Sequence, residues 1–393
     1  MASDILTLNA GSSSLKFSLW HSATGTDLRE LLRGEVEKIG IAPYLSAREP
    51  GGGVVIDSGF GEAGAKLTHE DLLRKLFAWL AQQGRDKLGA IGHRIVHGGG
   101  AFTAPIRIDD RVMEKLCKLE PLAPLHQPHN LAGIRTCAAL QPHVTQVACF
   151  DTAFHQTMAP VSRQLGLPRA YDAEGMRRYG FHGLSFEFIA RRLRAIDPAL
   201  ASGRVIVAHL GNGASLCAMR DGRSIDTTMG FTALDGLLMG TRPGTLDPGA
   251  VTYLMRAHDM SATEIEDVLY HRSGLLGISG ISSDMRTLLA SQEPHAREAV
   301  DLFVFRAARE IGAMAASLGG IDGLVFTAGI GEHAPEIRSR VCARCAWLGI
   351  ILDERANGVG EMRITPEASR IRVYVIPTDE ERMIAEHTIK HVA

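Results

Sequence analysis

The sequence predicts an α/β protein of two similar domains, on two observations. Short apolar runs of strand length alternate with segments of helical periodicity along the whole 393-residue chain. In addition, a pair of apolar runs joined by a small-residue turn occurs once in each half. With 45% hydrophobic and 22% charged residues, the composition is that of ordinary globular proteins and allows a core of normal size.

Each element follows from its local pattern. Apolar runs of strand length lie at residues 5–9, 15–20, 90–96, 145–150, 205–210, 215–220, 323–327 and 372–376. Helical periodicity is found at residues 70–82, 111–119, 127–139, 185–196, 247–256, 262–271, 295–316, 335–346 and 379–391. The charged segment at residues 35–38 is interpreted as a solvated face.

The two hairpins are candidates for phosphate binding. Their turns, at residues 10–14 and 211–214, consist mainly of small residues and are each followed by a strand. A P-loop or a dinucleotide fingerprint needs a helix at that point, so neither is predicted here. N–H groups and hydroxyls exposed in such turns can cradle an anion, although two ordinary tight hairpins would give the same pattern. The pair suggests two similar domains that face each other across a phosphate.

Charge and cysteine usage exclude several classes of protein. The formal net charge is −2, so no overall field favours nucleic acid or an anionic membrane as a partner. No apolar stretch reaches the ~20 residues of a membrane helix, and no basic region of a secretory signal precedes the first apolar run, so we expect a cytoplasmic protein. The six scattered cysteines do not form a disulfide framework. Cys342 and Cys345, a single CxxC, are interpreted as buried small side chains rather than a metal or redox site.

Eight segments, in the same order over essentially the whole chain, resemble the acetate kinase family. They are Asn9-Ala-Gly-Ser-Ser-Ser-Leu-Lys16, Gly92-His-Arg-Ile-Val-His-Gly-Gly99, Phe150-Asp-Thr-Ala-Phe-His155, Tyr179-Gly-Phe-His-Gly183, His209-Leu-Gly-Asn-Gly213, Met239-Gly-Thr-Arg242, Ser283-Asp-Met-Arg286 and Thr327-Ala-Gly-Ile-Gly-Glu332. This family belongs to the superfamily of actin, the sugar kinases and the Hsp70-type ATPases. Function still has to be argued from the site itself.

The resemblance implies two ribonuclease-H-like domains, with the nucleotide in the cleft between them, and a homodimer. The first domain is expected to comprise residues 1–151 and 379–393 and to bind the carboxylate and phosphate. Residues 152–378 are expected to form the second domain, which binds ATP and mediates dimerisation. The expected reaction is ATP + acetate ⇌ ADP + acetyl phosphate, by direct in-line transfer, with Mg²⁺ as cofactor or Mn²⁺ in its place.

The chemistry of this reaction sets its requirements. A simple carboxylic acid titrates near pH 4–5 and is ionised at neutral pH, so the nucleophile needs no strong general base. The obstacle is electrostatic, because two unit charges about 4 Å apart repel by roughly 4 kcal/mol at an effective dielectric near 20. Catalysis should therefore rest on cations and N–H donors around the transferred phosphoryl group.

The resemblance assigns four catalytic residues. Arg94 and Arg242 are expected to contact the substrate carboxylate and the γ-phosphoryl group, and His182 to donate to the equatorial oxygens. Asp151 follows an apolar run, at the strand end where α/β proteins bind ligands, and we expect it to orient Arg94 or a Mg²⁺-bound water. The alternatives are a surface ion pair for each arginine, a structural histidine, and a helix-capping aspartate.

Asn9 and Glu380 are the metal-site residues that the resemblance implies. Thr378 and Glu381 have the spacing of a capping box, which would occupy Glu381 with backbone and leave Glu380 free to hold Mg²⁺ through water. The alternative for Glu380 is an acid that only complements the helix dipole.

The nucleotide contacts implied by the resemblance come from the first hairpin and from three later segments. The expected ATP-binding residues are Ser12, Lys16, His209, Leu210, Gly211, Asn212, Gly213, Asp284, Met285, Arg286, Gly329, Ile330, Gly331, Glu332 and His333. Gly329 and Gly331 lie between an apolar run and a helix start at Pro335, which predicts a strand, a glycine loop and a helix against the nucleotide.

The expected substrate pocket departs from the family pattern at one position. Its residues are Arg94, Val96, Leu125, Phe181 and Ala233. Ala233 stands where the family often has a proline against the substrate methyl group, so the pocket has room for one more methylene, which is worth about 1–3 kcal/mol of discrimination. Propionate is therefore expected as a second substrate.

Two rival functions remain. A propionate kinase of the same fold differs only in its preferred acid. A nucleotide-gated binding protein of the actin or Hsp70 type would share the fold, but we expect no further domain beyond the last predicted helix to transmit a switch. A dehydrogenase is excluded, because no strand–GxGxxG–helix unit with a following acidic residue occurs.

Overall fold

The protein consists of two compact units, each with a mixed sheet and packed helices. The structure is a computed structural model that describes residues 3–11, 14–23, 27–124 and 126–392, with residues 62 and 63 described by their backbone alone. Unit 1 comprises Met1–Phe154 and Asp379–Ala393, and unit 2 comprises His155–Thr378. The prediction of an α/β fold is confirmed.

Unit 1 contains an eight-stranded sheet and four helices. Its strands are β1 (Ser3–Ala10), β2 (Leu15–Ser22), β3 (Arg29–Glu37), β4 (Tyr44–Arg48), β5 (Val54–Gly59), β6 (Leu88–Ile95), β7 (Ile106–Arg107) and β8 (Thr145–Phe150). Its helices are α1 (His69–Gln82), α2 (Asp110–Cys117), α3 (Gln127–Leu140) and α16 (Glu380–Ile389). The strand order is β5-β4-β3-β2-β1-β6-β8-β7, with β1 to β5 antiparallel and β1, β6 and β8 parallel.

The two faces of β1 pack against different helices. Leu6 and Leu8 belong to the core cluster that contains the buried residues of α1, whereas Ile5 packs with Ala385 and Ile389 of α16. Side chains alternate between the faces of a strand, so Asn9 lies on the same face of β1 as Ile5. The strand therefore presents Asn9 on the side of the sheet that α16 covers.

A glycine in β6 lets α16 approach the sheet closely. A Cβ added at Gly92 would lie 2.2 Å from Oγ1 of Thr388 and 2.6 Å from Cγ2 of Ile384, both on α16. Only glycine fits this contact without moving the helix. Arg94 follows two positions later on the same face of β6, so the contact at Gly92 brings α16 beside Arg94.

Unit 2 contains a five-stranded sheet and twelve described helices. Its strands are β9 (Arg204–Leu210), β10 (Ala214–Arg220), β11 (Arg223–Thr227), β12 (Gly323–Thr327) and β13 (Arg372–Val375). Its helices are α4 (Pro160–Arg163), α5 (Arg169–Ala173), α6 (Gly183–Ile196), α7 (Pro198–Ala201), α8 (Pro248–Ala257), α9 (Ala262–His271), α10 (Gly274–Ser279), α11 (Met285–Ala290), α12 (Pro294–Leu318), α13 (Ala328–His333), α14 (Pro335–Arg344) and α15 (Glu354–Val359).

The two units repeat one sheet connectivity. In unit 2 the order is β11-β10-β9-β12-β13, with β9 antiparallel to β10, β10 antiparallel to β11, and β12 parallel to both β9 and β13. The strands β3-β2-β1-β6-β8 of unit 1 have the same order and the same directions. The hairpin found in each half of the sequence is the start of this repeated unit. Across the part of the chain that the structure describes, no helix is both long enough and apolar enough to cross a membrane.

All eight predicted strands and nine predicted helices are present within a few residues of the expected bounds, but the strands β3, β4, β5, β7 and β11 were missed. Buried residues in β3 recur four positions apart, at Leu32 and Val36, so the strand shows no simple alternation. The interpretation of residues 35–38 as a solvated face was wrong for Glu35, which lies half-buried in β3.

Two predicted helix starts also need correction. The N-cap of α16 is Asp379 rather than Thr378, because Oδ1 of Asp379 accepts the N–H of Arg382 at 3.1 Å. The predicted glycine loop at residues 329–331 lies within the short helix α13, which follows β12 directly. The carboxylate of Glu332 makes this possible, since it accepts the N–H of Ala328 at 2.7 Å and stabilises the first turn.

Candidate active site

Arg94 is the centre of a charged cluster in unit 1. Its Nε and Nη2 donate to both carboxylate oxygens of Asp151, with the shortest contact at 2.5 Å, and its Nη1 donates to Oδ1 of Asn9 at 3.0 Å. Asp151 comes directly after β8 and its side chain is 1% exposed. A two-point contact with a buried carboxylate fixes the plane of the guanidinium group. The structure thus brings Asp151 and Arg94, which the sequence analysis assigned to the site, into direct contact.

Glu380 extends this cluster from the first turn of α16. One of its carboxylate oxygens lies 3.9 Å from Nη1 of Arg94. Burial raises the pKa of Glu380 to about 7, since the positive charge of Arg94 only partly offsets burial and the negative charges of Asp151 and Glu381 add to it. Three carboxylates, those of Asp151, Glu380 and Glu381, thus act on Arg94, and Lys16 adds a further positive charge near Glu380.

The oxygen atoms of this cluster fit a divalent cation. Asn9 and Glu380 supply hard oxygen ligands, and Mg²⁺ binds readily through one or two such side chains while it keeps several waters. Among the described residues no group of three or more His, Cys, Asp or Glu is arranged to hold a metal ion. The donor set is that of a partly hydrated ion rather than a closed protein cage. Oδ1 of Asn9 also accepts from Arg94, so a metal ion would share this oxygen.

Lys16 lies beside Asn9 in the sheet. Asn9, Lys16 and Glu35 occupy paired positions on β1, β2 and β3. Lys16 is exposed, whereas burial raises the pKa of Glu35 and the charge of Lys16 opposes that shift. Ser12, which the sequence analysis assigned to ATP, lies outside the described residues.

Two side chains that sequence reasoning missed hold the first hairpin. Nδ2 of Asn130 donates to the carbonyl of Ala10 at 2.9 Å, and its Oδ1 accepts the N–H of Val96. Nε2 of His69 donates to the carbonyl of Gly11 at 2.7 Å. Both lie on helices far from the hairpin in sequence, and a local pattern carries no signal for such long-range hydrogen bonds.

In unit 2, His182 and His209 are stacked. Their ring centroids are 4.1 Å apart and the ring planes differ by 17°. His182 has a left-handed backbone conformation, with φ of 57°, at the N-cap of α6. Such a conformation is costly for a residue other than glycine, and costs of this kind concentrate at functional sites. His209 is 7% exposed and lies near the end of β9.

Arg242 lies close to His182. A Cβ added at Gly213 would be 2.9 Å from Nη2 of Arg242 and 3.4 Å from Nε2 of His182, so both groups lie over this glycine. Nη1 of Arg242 donates to the backbone carbonyl of Ala233 at 2.8 Å. The predicted catalytic pair of unit 2 is therefore brought together, and the predicted specificity residue supports its arginine through a main-chain oxygen.

Most of the predicted nucleotide residues of unit 2 line one pocket. Its volume is about 530 Å³. Its lining residues come from the second hairpin, from the start of α11 and from α13 and the residue that follows it, and they are Gly211, Asn212, Ser283, Asp284, Met285, Arg286, Gly329, Ile330, His333 and Ala334. Three segments far apart in the sequence thus converge, as expected for a site that holds a nucleoside.

Other predicted nucleotide residues have different surroundings. Leu210 and Gly331 are buried, and the carboxylate of Glu332 accepts the N–H groups of Ala328 and Thr378. Glu332 is therefore held by the backbone of α13.

The predicted substrate residues are only partly described. The side chains of Val96 and Phe181 are buried at 8% and 3% exposure, each within its own unit. Leu125 lies outside the described residues.

A buried arginine that the sequence did not single out supports α13. Arg338 is 1% exposed, and its Nη1 donates to the carbonyls of Gly331 and Glu332 at 3.0 and 2.8 Å. Its other nitrogens donate to the side chain and backbone of Asn357. Burial lowers the pKa of Arg338. This arginine holds the end of the short helix that lines the pocket.

Comparison with known proteins agrees over the whole chain. A family model described as the acetokinase family matches residues 4–386. Acetate kinase of Rhodopseudomonas palustris (strain TIE-1) is 51% identical over 392 residues, which cover 98% of both chains. Acetate kinase of Methylocella silvestris is 49% identical over 395 residues, which cover 99% of this chain and 98% of that one.

Solved structures show the same relationship. A propionate kinase from Francisella tularensis superposes with a TM-score of 0.90 at 38% identity, over 98% of this chain and 99% of that one. Porphyromonas gingivalis acetate kinase superposes with a TM-score of 0.86 at 37% identity, over the full length of both chains. The family resemblance and the two-domain fold that the sequence motifs predicted are confirmed.

Proposed function

The chain belongs to the acetokinase family, and on that premise we propose that it transfers the γ-phosphoryl group of ATP to acetate, with ADP and acetyl phosphate as products. The observation that carries the proposal beyond the family is the arrangement of Arg94, which is held in one plane by Asp151 beside the oxygens of Asn9 and Glu380. A guanidinium group stays protonated at neutral pH, and a fixed positive charge of this kind can bind both the carboxylate nucleophile and the phosphoryl group.

The nucleophile needs a cation rather than a base. Acetate is already ionised at neutral pH, so Asp151 has no proton to remove, and its two-point contact with Arg94 gives it an orienting role instead. Arg94 offsets the repulsion between acetate and the triphosphate, which is roughly 4 kcal/mol for unit charges about 4 Å apart.

The metal site of the proposed reaction uses Asn9 and Glu380. Mg²⁺, or Mn²⁺ in its place, would neutralise phosphate charge as the phosphoryl group moves. Burial, together with the charges of Asp151 and Glu381, raises the pKa of Glu380, and a bound cation would favour the ionised carboxylate, so metal binding would be accompanied by loss of a proton from this group.

The transferred phosphoryl group is bound by Arg242 and His182 of unit 2. Both side chains lie over Gly213, where the absence of a Cβ lets them approach the backbone of the second hairpin. An arginine in this role contributes about 10³–10⁵ in rate to phosphoryl transfer. The pocket at Gly211, Asp284 and Ile330 is large enough for the nucleoside.

An acyl hydroxamate assay tests the proposal. Purified protein, ATP and Mg²⁺ are incubated with acetate, propionate or butyrate, and the acyl phosphate is trapped with hydroxylamine. Acetate should react fastest, and Arg242→Ala should abolish the reaction while the protein stays folded. If no acid reacts although ATP still binds, the enzyme proposal is wrong and a nucleotide-gated binding protein must be reconsidered.

Propionate is the second candidate substrate. The Francisella tularensis protein that superposes at a TM-score of 0.90 is named a propionate kinase, and Ala233 has a small side chain where the sequence predicted more room. If propionate reacts faster than acetate in the same assay, propionate is the preferred substrate, and the proposed mechanism is unchanged.

A homodimer is the proposed assembly. The helix α8 in unit 2 has no buried residue, although it carries Val251, Tyr253, Leu254 and Met255. The side chains of Tyr253 and Met255 are 63% and 46% exposed, so α8 presents large apolar groups to water on two sides. A second copy of the chain packed around this helix would remove them from water. Sedimentation of the purified protein should give twice the mass of the chain, and a monomer at micromolar concentration would contradict the proposal.

A further inference from the structure

We propose that Ser215 is a positioning residue that holds His182 as the neutral imidazole with its proton on Nε2, so that this nitrogen donates to the transferred phosphoryl group. The inference rests on the proposed function and names a residue that the sequence did not single out. It follows from a reciprocal set of hydrogen bonds around the stacked histidines.

Each of the two histidines contacts a serine from the opposite side of the stack, either at the start of α6 or in the β9–β10 hairpin. Nδ1 of His182 lies 2.8 Å from Oγ of Ser215, and Nδ1 of His209 lies 2.8 Å from Oγ of Ser185. His182 and Ser185 lie at the start of α6, whereas His209 and Ser215 are paired positions on β9 and β10. The start of α6 therefore holds the ring of His209, and the β9–β10 hairpin holds the ring of His182, which fixes the stack from both sides.

Both serines are removed from solvent. Ser185 and Ser215 are each 0% exposed, so their hydroxyl groups must find partners within the protein. Oγ of Ser185 also lies 2.8 Å from Oγ1 of Thr378, which extends the contacts of His209 into a chain of hydroxyl groups. A hydroxyl group either donates to an imidazole nitrogen or accepts from its N–H, so the direction of the Ser215 hydrogen bond and the tautomer of His182 are linked.

The tautomer of His182 decides what its other nitrogen can do. When the hydroxyl group of Ser215 donates to Nδ1, the neutral ring carries its proton on Nε2, which lies over Gly213 beside Arg242. When Nδ1 is protonated instead, Nε2 presents a lone pair, which would repel a phosphoryl oxygen. Only the first arrangement stabilises the charge of the transition state.

The surroundings favour the neutral ring. Among the described residues, the guanidinium of Arg242 lies beside His182, and the ring of His209, which is positive when protonated, is stacked on it at 4.1 Å. Like charges at such distances disfavour an imidazolium ion. A neutral donor depends on its tautomer, whereas an imidazolium ion donates from both nitrogens. If Ser215 sets the tautomer, its loss therefore matters most at a pH where His182 is neutral, whereas a purely structural role would not depend on pH in this way.

The test compares wild type with Ser215→Ala between pH 6 and pH 9 by steady-state kinetics. At pH 8 we expect kcat of the variant to fall about tenfold, less than the 10²–10³ that follows complete removal of a transition-state donor. The KM for ATP should change less than twofold. Toward pH 6 the deficit should shrink, because a protonated ring donates from Nε2 without help from Ser215. Ser215→Thr, which retains the hydroxyl group, should restore most of kcat at pH 8.

A matched control is available in the same unit. Ser224 is 0% exposed, and its Oγ lies 2.8 Å from Nδ1 of the buried His155, so Ser224→Ala removes a serine–histidine contact of the same kind. We expect it to lower stability without changing the shape of the pH profile.

Three outcomes decide the matter. An inactive wild type would contradict the proposed function itself. An active wild type with Ser215→Ala within twofold of it at pH 8, or with a deficit that is the same at every pH, would overturn the role of Ser215. A deficit that grows with pH and is rescued by threonine would establish it.

Discussion

Arg94 and Asp151 form a two-point ion pair in which Nε and Nη2 of the arginine contact both oxygens of a carboxylate that is 1% exposed. Asp151 follows β8 and Arg94 lies on the neighbouring parallel strand β6, where it pairs in register with Cys149. The ends of these strands bring the two side chains together, so the sheet itself orients the guanidinium group. The third contact, to Oδ1 of Asn9 on β1, comes from the next strand.

Asp151→Asn should disable the protein without unfolding it. An asparagine side chain accepts from Arg94 at one oxygen only and turns its NH₂ group toward the guanidinium donors, so the arginine loses its fixed plane. We expect kcat/KM for acetate to fall about a hundredfold or more, measured by hydroxamate formation. Asp322→Asn is the control, since Asp322 makes a similar two-point contact with Arg204 at a more exposed position and should leave activity unchanged. A value within threefold of wild type for Asp151→Asn would contradict the orienting role.

Gly92→Ala should act on the metal site through α16. The added Cβ would lie 2.2 Å from Oγ1 of Thr388, so α16 must move and Glu380 moves with it. Overpacking of this kind costs typically about 1–3 kcal/mol of stability. We expect a lower unfolding midpoint and a raised Mg²⁺ concentration for half-maximal activity. Gly133→Ala is the control, because its nearest neighbour is 3.9 Å away and alanine is favoured over glycine in a helix. An unchanged Mg²⁺ dependence would show that the position of α16 does not affect metal binding.

Gly213→Ala should impair catalysis with little loss of stability. Its Cβ would lie 2.9 Å from Nη2 of Arg242, a flexible group that can swing aside at the expense of its position. We predict that kcat falls about ten- to a hundredfold, which corresponds to about 1.4–2.8 kcal/mol of transition-state stabilisation. Gly358→Ala, at a helical position with nothing within 4 Å, should keep wild-type kcat. Equal kcat values for the two variants would show that the position of Arg242 over Gly213 does not affect catalysis.

Ala233→Pro should narrow the choice of acid. The substitution keeps the carbonyl oxygen that accepts from Arg242 but adds bulk at the position where the pocket was predicted to be wide. We expect wild type to use propionate with kcat/KM less than a thousandfold below that for acetate. The variant should lower the propionate-to-acetate ratio about tenfold or more, within the range of one methylene. A ratio that does not change would place the specificity determinant elsewhere.

Three buried histidines should make the protein less stable in acid. Burial lowers the pKa of His93, His97 and His155 to about 4 each, whereas an unfolded histidine titrates near 6.5. Between these values the unfolded chain binds protons that the native protein does not, so stability falls as pH drops from about 6.5 toward 4. Each histidine contributes up to roughly 1.4 kcal/mol per pH unit in that window.

Urea unfolding at pH 7, 6 and 5 measures this dependence. The midpoint should fall with pH, and His93→Gln should reduce the slope because it removes one titrating group from the interior. His258→Gln, at an exposed histidine, is the control and should leave the slope unchanged. A midpoint that is constant from pH 7 to pH 5 would contradict the prediction.

The sequence by itself determined the strands and helices with strong local patterns, the paired hairpins and the family. Asp151 could be placed at a strand end because the apolar run before it is unambiguous. The weakly patterned strand β3 was missed, since its buried residues Leu32 and Val36 do not alternate with polar ones. The pattern of apolar and polar residues predicts a helix or strand when one face of that element is buried along its whole length.

Only the tertiary structure decided which side chains act on one another. Asp379 rather than Thr378 caps α16, and the contact of Ser215 with His182 joins residues 33 positions apart. Hydrogen bonds of this kind form between groups that the fold brings together, and the chain between them carries no periodic signal of the contact. A sequence read alone can therefore name the residue types that the chemistry needs, but not the partners that fix their geometry.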